Sequence, residues 1–331
     1  MPELPFLLTN DWLLLILVFA GCLITGPIFI PVLKKLKFGQ TIRDDGPATH
    51  QVKAGTPTLG GIIFLIPAAL VFAFTALYLP RIIPMMLAVL GFGVIGLIDD
   101  MIKIRKKSKD GLTAKQKTVG LLLVATAYTL YLAVSDVGAL QMALPLTGMN
   151  GMVRFPVWLF IPFTILVFYA TTNAVNLTDG VDGLATIITC IVMVFFIVVA
   201  SFRGENKVEQ VFSTVMAGGC LGFLLFNRHP ARVFMGDCGS LALGGAVAVL
   251  AVNLRIPWVI LIAGFVFVME ALSVVIQVVS YKTRKVRVFR MSPIHHHFEL
   301  GGWSEKKIVS IFSIATVICC MLAAVLTLVA L

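Results

Sequence analysis

Apolar runs close to 20 residues long recur along the chain, and short polar clusters stand where those runs stop. A run of that length crosses about 30 Å of hydrocarbon as a helix rising about 1.5 Å per residue. The runs predict spans at about 12–33, 59–79, 82–98, 117–134, 157–175, 183–201, 210–226, 240–254, 257–280 and 307–330. Leu79-Pro80-Arg81 alone parts the second span from the third, and Arg255-Ile256-Pro257 parts the eighth from the ninth. Apolar and polar residues do not alternate within the runs, as they do in the strands of a membrane β-barrel. Backbone groups in lipid must pair within their own segment, so helices follow. The expected fold is all-α: a single polytopic membrane domain over residues 1–331 with about ten transmembrane helices. The stretch near 135–156, with Gly138, Pro145, Gly148 and Gly151, reads as an extramembrane loop with room for short strands or turns.

Composition agrees with this pattern. The chain is 59% hydrophobic and 13% charged, with a mean hydropathy of +1.00. A soluble domain of this size carries far more charge. The first run does not read as a signal peptide, because Glu3 and Asp11 precede it and Lys34, Lys35 and Lys37 follow it. Twenty-one of the 26 lysines and arginines fall on one side of the predicted spans, which makes that side cytoplasmic and puts both termini outside. The net charge of +10 follows from this topogenic bias and from attraction to anionic membrane lipid; a polyanionic substrate arriving from the cytosol is the sharper reading. Nucleic acid is not an expected partner, since the loops contain no nucleic-acid-binding module. The six cysteines lie mostly inside spans without ligand spacing, so free thiols are expected. A homodimer is compatible with the sequence.

Five polar stretches on the cytoplasmic side carry the chemistry: residues 50–58, Asp99-Asp100, residues 176–183, residues 227–237 and residues 292–299. Carboxylates at membrane depth are costly and so usually functional, although Asp99 and Asp100 also fit an interfacial stop signal paired with Lys103. Adjacent helical residues point about 100° apart, so one of the two acids can face a reacting atom while the other orients a lysine or a metal. Asn176-Leu177-Thr178-Asp179-Gly180-Val181-Asp182-Gly183 offers two acids and an amide among glycines that permit close backbone approach; it also fits a simple turn. Phe234-Met235-Gly236-Asp237 sets an aromatic beside an acid. Hard cations such as Mg2+ favour carboxylate oxygens and substrate phosphates. His295-His296-His297 lacks the spacing of a zinc site and suits phosphate donation or loop bracing. Glu270 and Gln277 share a helical face seven residues apart and point into the bundle.

Acids for a cation, cations and imidazoles for phosphates, and an aromatic for a base, all at one lipid interface, suggest a reaction joining a soluble phosphorylated compound to a lipid. On these residues the chain resembles the polyprenyl-phosphate N-acetylhexosamine-1-phosphate transferase superfamily over essentially its whole length. The motifs are Gly55-Thr56-Pro57-Thr58-Leu59-Gly60-Gly61, Ile98-Asp99-Asp100, Asn176 to Ala185, Phe234-Met235-Gly236-Asp237 with Gly239-Ser240, and Pro293 to Leu300. The last marks the muramoyl branch. Leu59, Val181 and Gly301 depart from the residues common there, methionine, leucine and lysine. The resemblance implies a bacterial cytoplasmic-membrane enzyme that uses UDP-N-acetylmuramoyl-pentapeptide, undecaprenyl phosphate and Mg2+ to make lipid I and UMP. It implies Asp237 as the metal ligand, Asp99 as base, and Asp100 and His296 completing the catalytic set. It puts the uridine near Lys53, Asn176, Asp179, Asp182 and Phe234. Lys103, Lys107, Lys115 and His296 become candidate phosphate contacts; Thr58, Asn227, Gln277, His295 and His297 are further candidates for contact with substrate. A two-step route through a carboxylate nucleophile stays open. So do transfer from UDP-N-acetylglucosamine and, from another class, an ion-coupled transporter.

Overall fold

The computed structural model describes residues 6–35, 55–106, 108, 110–135, 137–144, 151–202, 204 and 206–328. The principal helices are α1 (Asp11–Lys35), α2 (Gly61–Ala76), α3 (Ile82–Lys106), α4 (Ala114–Ser135), α5 (Val157–Thr178), α6 (Leu184–Phe202), α7 (Lys207–Asn227), α8 (Gly236–Asn253), α9 (Phe265–Arg284), α10 (Ile294–Glu299) and α11 (Glu305–Leu328). Among the described residues, 9 helices are long and apolar enough to cross a membrane, and α2 is a shorter apolar helix of 16 residues. Together these ten occupy the ten expected spans, and the protein is an all-α polytopic membrane protein.

The helix ends differ from the hydropathy reading for a physical reason. Hydropathy falls where charge begins, but backbone hydrogen bonding continues. So α3 runs on through Asp99 and Lys103, and α4 starts three residues before Lys117, which places these groups on rigid turns instead of loops. The ninth span is interrupted. A 3₁₀ turn at Pro257–Val259 leads into one helical turn, Ile260–Ala263, and α9 begins only after Gly264.

The centre of the bundle is α8, whose residues Cys238 to Val252 are all buried. Helices α2, α3, α5, α6 and α7 pack on it. Its small residues let neighbours come close, which is how helices associate where lipid offers no hydrophobic drive. Phe92 of α3 lies over Gly245 and stacks on Phe168 of α5 at 5.8 Å; Tyr128 of α4 meets Phe168 edge-on at 5.6 Å. Gly96 of α3 sits directly against the backbone of Asp237, where any Cβ would collide. That contact decides where the next turn of α3, carrying Asp99 and Asp100, meets the start of α8. The outer helices turn Leu23, Leu123, Leu272 and Ile318 outward, as lipid-facing helices do.

Strands β1 (Gln141–Ala143) and β2 (Met152–Arg154) form an antiparallel hairpin with Gln141 opposite Arg154. The Ala143 N–H donates to the Arg255 carbonyl at 2.9 Å, tying the hairpin to the turn after α8. Exposed Trp12 and Trp158 stand at helix starts on this end, the place of an interfacial aromatic belt. The opposite end collects Asp99, Lys117, Asn176, Asp182, Asp237 and Glu305.

Candidate active site

Three carboxylates converge where α3 meets α8. One oxygen each from Asp99, Asp100 and Asp237 lie within 4.8 Å of one another. Asp99 and Asp100 are both nearly buried and diverge as their positions on a helix require. Asp99 Oδ1 accepts the Leu112 N–H at 2.7 Å, and Oδ2 pairs with Lys103 Nζ at 2.5 Å. Asp100 Oδ2 accepts the Cys238 N–H at 3.1 Å from the first turn of α8, which leaves Oδ1 3.8 Å from Lys103. Asp237 Oδ2 receives both Lys103 at 2.8 Å and Lys117 at 2.9 Å, while Oδ1 accepts the Asn176 amide at 2.8 Å. Asn176 also donates to Ser240 Oγ at 2.8 Å. Each acid is therefore aimed by a fixed donor, and two ammonium groups offset two of the three negative charges. Oxygen donors at this spacing are the set a hard dication takes.

Asp237 is delivered by a local device. The Phe234 N–H donates to the Pro57 carbonyl at 2.8 Å, and its own carbonyl accepts the Gly60 N–H at 2.8 Å. This pairing seats residues 234–235 against residues 57–61. The chain then turns sharply at Gly236, whose φ of +73° is open to glycine at little cost. A Cβ there would also press on Asp100 and on Thr58, which is buried behind the turn.

Beside the acids is a small cleft of about 80 Å³, lined by Asp100, Lys103, Asn176, Asp179, Gly180, Phe234 and Asp237 among others. Asp179 caps α5 and is part-buried. Burial, then the negative charges of Asp237, Asp100 and Asp182, push its carboxyl well above the usual carboxylate range.

Asp182 points away from this cleft toward a second cluster with His229 and Glu305. Behind Gly180 stands His295, fully buried, with Nδ1 3.1 Å from Oε2 of the buried Glu270. His296 Nδ1 lies 2.7 Å from Glu299, and His297 Nδ1 accepts the Arg290 N–H at 3.1 Å.

The structure thus brings Asp99, Asp100, Asp237, Lys103, Asn176, Asp179 and Phe234 together. It directs other candidates elsewhere. Asn227 is buried and spends its amide on Thr186 and the Val233 carbonyl, bracing the loop before Phe234. Gln277 accepts the Val288 and Phe289 N–H groups at 3.0 Å and donates to the Phe289 carbonyl, shaping the turn after α9. Lys115 is exposed. Lys53 and Lys107 lie outside the described residues. Lys117 is a site residue that the motif reading passes over, and Ser240 stands in the Gly239-Ser240 motif without an assigned role.

Known proteins resemble this chain over nearly its whole length. Residues 82–255 match glycosyl transferase family 4. The phospho-N-acetylmuramoyl-pentapeptide-transferase of Acetivibrio thermocellus is 54% identical over 320 residues, covering 97% of this chain and 96% of the relative. The protein of that name from Clostridium novyi is 49% identical, with 92% and 93% covered, and that from Clostridium beijerinckii 47% identical, with 97% and 98% covered. Geometry and similarity meet here, for the helices that place the carboxylates, α3 and α8, lie within residues 82–255. The chain belongs to glycosyl transferase family 4 and, within it, to the phospho-N-acetylmuramoyl-pentapeptide transferases.

Proposed function

We propose that this membrane transferase moves phospho-N-acetylmuramoyl-pentapeptide from its UDP conjugate to undecaprenyl phosphate, at the cytoplasmic face of a bacterial cytoplasmic membrane. The observation that carries this reading is the convergence of three carboxylates and two lysines beside one cleft at the polar end of the bundle. An oxygen of the lipid phosphate attacks the β-phosphorus of the UDP conjugate. The bond from that phosphorus to the bridging oxygen breaks, and UMP leaves with lipid I as the other product.

Positioning and charge neutralisation supply most of the rate in such transfers. The three carboxylates fit Mg2+, with Asp237 as ligand and Asp99 and Asp100 within reach. When bound, the dication offsets the charge of the pyrophosphate. Lys103 and Lys117, both paired with Asp237, add positive charge for the phosphates. Asp99, fixed by the Leu112 N–H, takes the proton of the attacking phosphate where one is present. Asp100, held by the Cys238 N–H, keeps Lys103 in place. Phe234 offers its ring to the uracil, a contact of about 1–3 kcal/mol per base. Asn176, Asp179 and Lys53 are assigned to the nucleotide, His296 and Lys107 to phosphate and His297 to the rest of the substrate; buried Asp182, Thr58 and His295 brace the loops that carry these groups, and exposed Lys115 does not line the cleft. Native mass spectrometry tests whether the protein assembles as a homodimer.

The test is exchange of labelled UMP into UDP-sugars in the presence of a polyprenyl phosphate. Exchange into UDP-N-acetylmuramoyl-pentapeptide, dependent on both lipid and Mg2+, is expected. Exchange into UDP-N-acetylglucosamine alone, or none at all, rejects the reading. Folded Asp237→Asn should keep less than about a tenth of the rate, since a lost metal contact costs several kcal/mol.

A further inference from the structure

Residues 179–183 carry Asp179, read above as a nucleotide contact, and groups with no part in the reaction hold this loop in place. Asp182 is the pivot. Its carboxylate is almost wholly buried, at 2% exposure. Oδ2 accepts the Ala231 N–H at 3.0 Å and lies 3.2 Å from Nδ1 of His229. The same Nδ1 is 3.6 Å from Oε2 of Glu305, and that oxygen faces the Asp182 N–H at 3.4 Å. Three segments far apart in sequence therefore meet at one imidazole: the loop after α5, the loop after α7 and the first turn of α11.

The consequence is mechanical. The loop after α7 goes on to Phe234, which lines the cleft together with Asp179. Fixing residues 229–231 to Asp182 fixes the spacing between that ring and the acids of the 179–183 loop. On the other face of the loop, His295 fills the space where a side chain at Gly180 would stand. The loop is gripped from both sides, and only the His229 side reaches the cleft's aromatic. A proton on Nδ1 also separates two carboxylates that otherwise repel across a short gap.

We propose, on the nucleotide reading of residues 179–183, that His229 is a positioning residue for the nucleotide. It bridges Asp182 to Glu305, sets the loop against Phe234 and couples nucleotide binding to the start of α11. It acts through Asp182 and touches neither substrate.

Steady-state kinetics of the full-length protein in detergent, varying the UDP conjugate and the polyprenyl phosphate separately, tests this together with melting temperatures. His229→Leu should raise KM for the UDP conjugate about tenfold, as expected for losing a hydrogen bond to a charged group, with kcat and KM for the lipid phosphate held within about twofold. His229→Asn, whose amide N–H can stand where Nδ1 stood, should restore most of that loss. Glu305→Gln combined with His229→Leu should recover part of it, because the repulsion with Asp182 is gone. Wild-type KM in His229→Leu, beside a raised KM in Asp179→Asn, would overturn the positioning role and keep the nucleotide reading. An unchanged KM in Asp179→Asn would remove the nucleotide reading itself. Equal losses in kcat and both KM values, not restored by His229→Asn, would show a folding role only and overturn the proposal. If His229→Leu fails to fold, Glu305→Gln alone decides: it should raise KM for the UDP conjugate only, and a uniform loss or none refutes the coupling.

Discussion

Asp99 is committed on both oxygens, to the Leu112 N–H and to Lys103. A phosphate monoester loses its second proton at a pKa of about 6, so a base helps chiefly where low dielectric and nearby carboxylates raise that value. Asp99→Asn should therefore be severely slow at pH 7 and regain rate toward pH 10, as the lipid phosphate ionises unaided. Asp100→Asn should show no such recovery. A flat pH–rate profile for Asp99→Asn would leave Asp99 an electrostatic role only. Asp179 gives a second test. Its carboxyl is raised in the folded state, so the folded form disfavours its charge. That contribution is harmless below the unfolded pKa of about 4 and costs stability as pH rises through the folded value. Asp179→Asn should remove this part of the pH dependence, seen as a smaller fall in melting temperature of the ligand-free protein from acid to neutral pH. The carboxylates were legible from the sequence because charge beside an apolar run stands out. Lys117 was not, since one lysine among seven basic residues between residues 103 and 117 looks topogenic. Yet Lys117, Leu121, Ala125, Tyr128 and Leu132 form one helical stripe, and the last four are buried. Glu305 likewise heads the stripe of Ile308, Phe312, Thr316 and Cys320.

At the level of elements, the contact between α3 and α8 governs the site. Gly96 permits it, and it sits one turn from Asp99 and Asp100. Gly96→Val should cost about 1–3 kcal/mol by overpacking. It should cost activity out of proportion, about 10²-fold, because a shift near 1 Å is enough to spoil alignment. Parallel melting and rate measurements separate the two; activity falling only in step with folded fraction would deny α3–α8 spacing its role. Hydropathy located all ten apolar helices, since each must bury a long apolar stretch whichever neighbours it finds. It did not locate their ends at Lys106 and Ala114, nor the break at Gly264, because hydrogen bonding and local packing set these. The pairing of residues 57–61 with 234–235 was invisible for the same reason, being made by backbone groups that every sequence possesses.

For the molecule as a whole, alternation of the helices gives two unlike ends, one polar and one bearing the hairpin and exposed tryptophans. A cysteine placed at Ser304 should react with an impermeant thiol reagent only from the cytoplasmic side, and one at Arg154 only from outside. The native cysteines are free; all but Cys319 are buried, so they should leave the assay quiet. The reverse pattern would invert the orientation argued from charge. The shortness of α2 has a consequence for the lipid itself. Its 16 residues span only about 24 Å at about 1.5 Å each, yet Ile66, Leu70 and Phe74 turn one stripe of it outward. A bilayer with a core near 30 Å must thin along that stripe to match it, at a cost of fractions of a kcal/mol per Å. Thinning draws headgroups inward on the flank of the helix whose first residues adjoin the Asp237 turn. Turnover should accordingly be faster in nanodiscs of short-chain lipids than of long-chain lipids at equal headgroup charge, with the bilayer's own elasticity helping to set the depth at which a phosphate meets the carboxylates.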